Sequence, residues 1–128
     1  MSNSVVDSSA VLTLVQNEPG AAEAASVVAA GALISSVNFS EVVAKLADRG
    51  IPEREIRARL ARLVLQIVAF DTDQALRAGM LRPVTREAGL SLGDRACLAL
   101  AQGRNLPVVT ADRTWQSLTI SVEIRLIR

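Results

Sequence analysis

Short apolar runs alternate with helical patterns along this chain, and this alternation constrains the fold more than any other feature. Residues 4–6, 32–35, 107–110 and 121–126 have the composition of strands, and residues 67–70 are a further candidate. Helical patterns separate these runs. Strands that alternate with helices form parallel sheets covered by helices on both faces. We therefore predict an α/β fold of three layers, with a mostly parallel central sheet of about four to five short strands.

The helical patterns cover most of the remaining chain. They span residues 8–16, 21–30, 37–49, 72–87 with a break before Pro83, and 95–102. A further helix starts at residues 51–52, and its apolar stripe of Ile56, Leu60, Leu63, Val64 and Ile67 has helical spacing. The last part of this stripe overlaps the candidate strand at 67–70, so the boundary between the two stays open.

Length and composition favour one compact domain over residues 1–128. The chain has 128 residues, 50% of them apolar, and a net charge of +1. Such a charge gives no overall attraction for nucleic acid, so any such attraction would be local. A single cysteine, no visible signal peptide and no apolar segment long enough to span a bilayer predict a cytoplasmic protein without membrane association.

The absence of histidine removes several kinds of active site. Serine and cysteine nucleophiles that need a histidine base, histidine zinc sites and histidine acid–base pairs are all excluded. Cys97 lies in an apolar helical run and is expected to be a buried, inert thiol. Glycine-rich phosphate loops are also missing. If the protein is an enzyme, carboxylates must carry its chemistry, together with a metal ion.

Four acidic residues occupy positions where such a site could form. Asp7 and Asp112 each follow a predicted strand, Asp94 opens a predicted buried helix, and Glu41 lies on the helix after the second strand. In open α/β sheets, ligands bind at the carboxyl ends of the strands, where the strand order reverses. The four side chains could therefore face one crevice.

Each acid also has a purely structural explanation. Asp7 and Asp112 can cap the helices that follow them. Asp94 completes a Ser-x-x-Asp capping box, and Glu41 can form an i,i+4 ion pair with Lys45. Spacing alone thus supports an α/β domain and leaves open whether it has an acidic site.

The local sequences around the acids resemble a known family. SVVDSSA, ISSVNFSEVVAKL, LSLGDRACLALA and LPVVTADRTW follow one another in this order. They resemble the successive motifs of PIN-domain ribonucleases and, more narrowly, of VapC-type toxins from toxin–antitoxin systems. The resemblance covers the chain from end to end. It implies a PIN-like fold and a metal-dependent endoribonuclease that hydrolyses RNA phosphodiester bonds.

The resemblance assigns roles to individual residues. The acids at its metal-binding and catalytic positions are Asp7, Glu41, Asp94 and Asp112. The polar residues that would support them are Ser8, Asn38 and Thr110. Clustered carboxylates need a cation to stay ionised together, and their hard oxygens suit Mg²⁺ or Mn²⁺. An activated water would not need the 2′-hydroxyl, so the expected products carry a 5′-phosphate and a 3′-hydroxyl.

Arginines are the candidates for contacts with RNA. Some relatives carry a further acid in the first turn of the late helix, where this chain has Arg95, so a second metal site is in doubt. Arg95 could contact a phosphate or could be solvated. Arg54 and Arg62 lack i,i+4 acidic partners and are further candidates, although a solvated helix face explains them as well.

The resemblance also implies partners. These are a cognate VapB-like antitoxin, held in a groove between the early helices, an RNA substrate such as tRNA or rRNA, and a second copy of the chain. The homodimer interface is expected among the helices over residues 36–67.

Two other functions are possible for this sequence. One alternative is a PIN-like module that has lost catalysis and only binds a partner. Another is an aspartate phosphotransferase, but the Asp-x-Asp motif that it needs is replaced by Asp7-Ser8-Ser9.

Overall fold

The computed structural model describes residues 2–128 and contains a sheet in which every strand pair is parallel. Its strands are β1 (Ser4–Val6), β2 (Ala32–Ser35), β3 (Leu65–Val68), β4 (Val108–Thr110) and β5 (Ile124–Leu126). They lie in the order β3-β2-β1-β4-β5. The predicted α/β fold with a parallel central sheet is confirmed. Met1, the first residue of the predicted domain, lies outside the described residues.

Helices connect the strands and flank the sheet. They are α1 (Ser8–Val15), α2 (Ala21–Ala29), α3 (Ser36–Asp48), α4 (Glu53–Ala61), α5 (Thr72–Met80), α6 (Arg82–Thr85) and α7 (Leu92–Arg104), followed by a 3-10 helix (Arg113–Ser117). The break predicted before Pro83 separates α5 from α6. Between residues 2 and 128 no helix is long and apolar enough to cross a membrane.

The structure resolves the boundary that the sequence left open between α4 and the candidate strand. The helix ends at Ala61, and the last part of the predicted helical stripe instead belongs to β3. Leu65 to Val68 pair in parallel with Ala32 to Ser35 of β2, and the β-branched Ile67 and Val68 suit an extended chain. Ile67 is 50% exposed, so it does not continue the buried face formed by Ile56 and Leu60.

The central strands divide the core into two halves. Because side chains alternate across a strand, Val6, Ile34 and Val109 face one side of the sheet, where they pack with α1 to α4. Their strand neighbours Val5, Leu33 and Val108 face the other side, where they pack with α5, α7 and Trp115. The prediction of helices on both faces is therefore confirmed.

The strand order places a crevice beside β1. The strands β2 and β3 lie on one side of β1 within the sheet, and β4 and β5 lie on its other side. The order therefore reverses between β1 and β4, and the connections leave these two strands in opposite directions. This is the point at which parallel α/β sheets bind ligands. Asp7 directly follows β1, and Asp112 comes two residues after β4.

Packing on α7 gives a direct test of this architecture. Leu98 is fully buried, whereas Leu92 on the same helix is 53% exposed. We predict that Leu98→Ala lowers the free energy of unfolding by about 2–5 kcal/mol, because it removes buried methyl groups and leaves a cavity. Leu92→Ala should change it by no more than about 0.5 kcal/mol. Urea denaturation of both variants would contradict the fold if the two losses were equal.

Candidate active site

Asp7 directly follows β1 at the switch point of the sheet and is almost completely buried, with 3% of its surface exposed. It caps α1 by accepting a hydrogen bond from the Ala10 N–H at 2.9 Å. The hydroxyl of Ser9 donates to the carboxylate at 2.8 Å, and that of Thr110 donates at 2.6 Å. Thr110 is the last residue of β4, which pairs directly with β1, so the sheet register brings it beside Asp7.

The two hydroxyls also connect Asp7 to the loop after β4. Ser9 accepts the backbone N–H of Ala111 at 2.9 Å, and Thr110 accepts that of Asp112 at 3.0 Å. Each hydroxyl therefore accepts a hydrogen bond from the loop and donates one to Asp7. Of the polar residues named from the resemblance, Thr110 is hydrogen-bonded to Asp7. Ser8 makes no side-chain hydrogen bond within the described chain, whereas its neighbour Ser9 does bond to Asp7.

Burial raises the pKa of Asp7 from 3.8 to about 6. The hydrogen bonds from Thr110, Ala10 and Ser9 act in the opposite direction, because they stabilise the charged form. The nearby charge of Asp94 raises the pKa further. A carboxylate in this position is destabilised without a cation, even though three donors hold it.

Glu41 reaches the crevice from α3, which begins immediately after β2. Ser35, the last residue of β2, caps α3 by accepting the Val37 N–H. One turn later, the buried Asn38 donates through Nδ2 to Glu41 Oε1 at 2.9 Å and to the Gly93 carbonyl of α7 at 3.0 Å. Asn38 Oδ1 is buried and has no hydrogen-bond partner among residues 2–128. Glu41 thus faces α7, and the alternative ion pair with Lys45 does not form.

Asp112 caps the 3-10 helix and Asp94 completes a capping box on α7, as the structural explanation expected. Asp94 Oδ2 accepts the Ser91 N–H at 2.9 Å, and Ser91 Oγ accepts the Asp94 N–H, which completes a capping box on α7. Asp112 Oδ1 accepts the N–H and the hydroxyl of Thr114. The other carboxylate oxygen of each aspartate makes no hydrogen bond within the described chain. Capping therefore orients these carboxylates and leaves one oxygen on each available.

Asp94 lies within electrostatic reach of each of the other three acids. Burial raises the pKa of Asp94, and the charges of Glu41 and Asp112 raise it further, against the lowering effect of Ser91. Cys97 is fully buried on α7, and burial, followed by the charges of nearby acids, raises the pKa of its thiol. The prediction that this thiol is buried is confirmed.

The donor set fits a hard divalent cation. Carboxylate oxygens and the unpaired Asn38 Oδ1 are the ligand types that Mg²⁺ and Mn²⁺ prefer. In the part of the chain that the structure describes, however, no three acidic side chains already form a metal site. The chemistry of the donors therefore suits such an ion, and the carboxylates would have to move closer together to share it.

The candidate arginines fall into two groups. Arg95 is partly buried, and its Nη1 donates to the Ala78 carbonyl in the last turn of α5 at 3.1 Å, so it is not simply solvated. Arg54 and Arg62 on and beside α4 are exposed and form no ion pair within residues 2–128. Their neighbours Arg57 and Arg59 form the expected pairs with Glu53 and Glu55. Contact of any of these arginines with RNA stays a prediction.

These features define an α/β protein with an acidic crevice at the switch point of a parallel sheet. Residues 4–120 match the family model of the PIN domain. The chain belongs to the PIN domain family, and the resemblance found in its motifs is confirmed. No curated protein matches the sequence.

Solved structures with the same fold include toxin–antitoxin proteins. The DNA-bound VapBC of Salmonella typhimurium has a TM-score of 0.80 and 21% identity, with 100% of both chains covered. A toxin–antitoxin complex from Klebsiella pneumoniae has a TM-score of 0.76 and 21% identity, with 98% of each chain covered. VapC20 of Mycobacterium tuberculosis, a sarcin-ricin loop cleaving toxin, has a TM-score of 0.72 and 16% identity, over 93% of this chain and 98% of its own. At these identities the similarity establishes the fold.

The raised pKa of Asp7 predicts a distinctive pH dependence of stability in EDTA. Between pH 3.8 and about 6 the native state holds a proton at Asp7 that the unfolded state has already released. As the pH rises through this range, the contribution of Asp7 to the free energy of unfolding should therefore fall, by at most roughly 3 kcal/mol. Asp7→Asn removes this titration and keeps a residue that can cap α1.

Urea denaturation of both proteins from pH 4 to pH 7 measures the effect. We expect the Asn variant to gain stability relative to the wild type as the pH rises. A difference that stays constant over the whole range would contradict the proposed environment of Asp7.

Proposed function

We propose that this protein is a metal-dependent endoribonuclease and acts as the toxin of a VapBC-like toxin–antitoxin pair. The observation that carries the proposal is that Asp94 lies within electrostatic reach of Asp7, Glu41 and Asp112, which come from distant parts of a chain with the PIN fold. Holding several carboxylates close to one another, one of them buried, is unfavourable unless a cation compensates for their charge. A function that uses the cation explains why the fold retains this arrangement.

Each acid has a distinct part in this proposal. Asp7, Asp94 and Asp112 would hold Mg²⁺ or Mn²⁺, the last two through the carboxylate oxygens that their helix caps leave unpaired. Glu41 would complete the ligand set or orient the attacking water. When bound, the ion supplies positive charge that lowers the pKa of that water and offsets charge on the phosphate.

The neighbouring polar groups keep these acids in place. Ser9 and Thr110 orient Asp7, and Asn38 orients Glu41.

Water would attack phosphorus in line with the leaving 3′-oxygen, so the P–O3′ bond breaks and the products are a 5′-phosphate and a 3′-hydroxyl. The RNA 2′-hydroxyl takes no part.

The substrate and partner proposals draw on the structural relatives. VapC20 is a sarcin-ricin loop cleaving toxin, which supports a structured RNA, such as rRNA or tRNA, as the substrate here. The exposed Arg54 and Arg62 would contact its phosphates, and Arg95 would need to leave the Ala78 carbonyl to do so. The relatives from Salmonella and Klebsiella are toxin–antitoxin complexes, which supports a VapB-like antitoxin as the partner.

A metal requirement that depends on Asp94 is the first test. RNA cleavage should need Mg²⁺ or Mn²⁺ and stop in EDTA. Asp94→Asn should reduce it at least about 100-fold, because it removes a charge that the reaction needs while the Asn side-chain oxygen can still accept the Ser91 N–H. The control is Asp71→Asn, because Asp71 also accepts a backbone N–H at the start of a helix, that of Gln74 in α5, but is exposed and is not among the four acids.

The Asp71→Asn control should cleave RNA within about twofold of the wild-type rate, since surface changes away from a site are nearly neutral. Cleavage that persists in excess EDTA, or an Asp94→Asn variant as active as the control, would refute the mechanism. Purified wild-type protein that binds an antitoxin yet cuts no RNA with either metal would favour the alternative of a binding module without catalysis.

A homodimer is the second proposal that can be measured. An open apolar groove of about 810 Å³ lies between α3, α4 and β3, within the predicted interface region of residues 36–67. Ile67 lines it and is 50% exposed. Light scattering should show a dimer for the wild type and a monomer for Ile67→Lys, since a buried, unpaired ammonium is unfavourable.

Val84→Lys provides the control for added charge. Val84 is 58% exposed but lies on α6, outside the groove. This variant should remain a dimer. A monomeric wild type at micromolar concentrations, or a Val84→Lys variant that dissociates while Ile67→Lys does not, would contradict the proposed interface.

A further inference from the structure

Gly93, the second residue of α7, lies in a place where its backbone does not require glycine. The glycines of this chain with positive φ are Gly20, Gly31, Gly50 and Gly89, so Gly93 has a conformation open to any residue. Alanine is normally the better residue in a helix, because glycine loses more conformational freedom on folding. A glycine here therefore needs another explanation.

The space beside Gly93 is filled by the carboxylate of Glu41. A Cβ at position 93 would lie 2.6 Å from Glu41 Cδ and 2.7 Å from Oε1, closer than carbon and oxygen atoms can approach. Gly79 and Gly103, also in helices, have open space or ordinary contacts at the same point. Only a residue without a side chain leaves room for Glu41 as it lies here.

Asn38 fixes the carboxylate in this position. Its Nδ2 bridges Glu41 Oε1 and the carbonyl of Gly93, and Asn38 is 1% exposed. Glu41 thereby packs against the first turn of α7, where the positive end of the helix dipole favours an anion. The next residue of that turn is Asp94, whose charge interacts with that of Glu41.

We infer that Gly93 is a positioning residue, which by lacking a side chain seats the Glu41 carboxylate against α7 beside Asp94. The inference rests on the proposed function for the roles of Glu41 and Asp94. The contact between positions 93 and 41 is independent of it and can be tested separately.

The first arm of the experiment measures the contact without metal. Gly93→Ala is made in the wild type and in Glu41→Ala, and Gly103→Ala on the same helix is the control, since its nearest neighbour is Arg77 Nε at 3.8 Å. In EDTA, Gly103→Ala should raise the melting temperature by about 2–4 °C in both backgrounds. Gly93→Ala should give this gain only in Glu41→Ala. An equal effect of Gly93→Ala in both backgrounds would overturn the inference.

The second arm tests whether the position of Glu41 matters for metal binding, by measuring the rise in melting temperature when Mn²⁺ is added. Mn²⁺ should raise the melting temperature of the wild type and of Gly103→Ala equally, through binding to the native state. The rise should shrink in Gly93→Ala to the value found for Glu41→Ala, with no further loss in the double variant. A full rise in Gly93→Ala would overturn the positioning role while leaving the proposed function intact.

The two arms distinguish a failure of the proposed function from a failure of the inference about Gly93. If Mn²⁺ shifts none of the proteins but the coupling in EDTA is present, the proposed function fails and the steric role of Gly93 stands. If Gly93→Ala does not fold, the double variant with Glu41→Ala must fold, because the clash is then absent. A double variant that also fails to fold would contradict the inference.

Discussion

The burial of one carboxylate at the end of the central strand is the interaction on which the site depends. Asp7 leaves β1 at the point where the strand order reverses, and it is nearly inaccessible to solvent. The hydroxyls of Ser9 and Thr110 hold it, and they also bind the loop that carries Asp112. Through this small network the end of β1, the start of α1 and the end of β4 are fixed relative to one another. The desolvation that it imposes on Asp7 is what a bound cation would offset.

Helix capping and the proposed site turn out to use the same residues. In a parallel α/β fold every strand ends at one edge of the sheet, and the helix that follows begins there. Aspartates are good N-caps, and each helix N-terminus favours a negative charge. Asp7 and Asp112 cap helices, and Asp94 completes the capping box of α7 from its third position, so the start of each of these helices carries one of the proposed acids. The structural and functional explanations are therefore compatible, and the caps orient the acids that the proposed reaction needs.

Sequence reasoning predicted the features that depend on local pattern. The position of each strand-ending acid follows from short apolar runs, and the parallel sheet follows from their alternation with helices. The α4–β3 boundary stayed open because a stripe with helical spacing also fits a short strand, and only the pairing of Leu65 to Val68 with β2 distinguishes the two. Ser9 was missed because Ser8 and Ser9 are adjacent and similar, and the direction of a hydroxyl depends on the helix turn. The role of Gly93 could not be predicted from local sequence, because the space beside it is filled by Glu41, which lies 52 positions earlier in the chain.

The central claim is that these acids share one divalent cation at the switch point of the sheet. The most direct measurement is an anomalous difference map from crystals of the protein grown with Mn²⁺. The account predicts a peak in the crevice between the carboxyl ends of β1 and β4, coordinated by Asp7 and Asp94 together with Asp112 or Glu41, and no such peak in Asp7→Asn. A map with no peak in that crevice, or with Mn²⁺ bound only at surface carboxylates elsewhere, would contradict it.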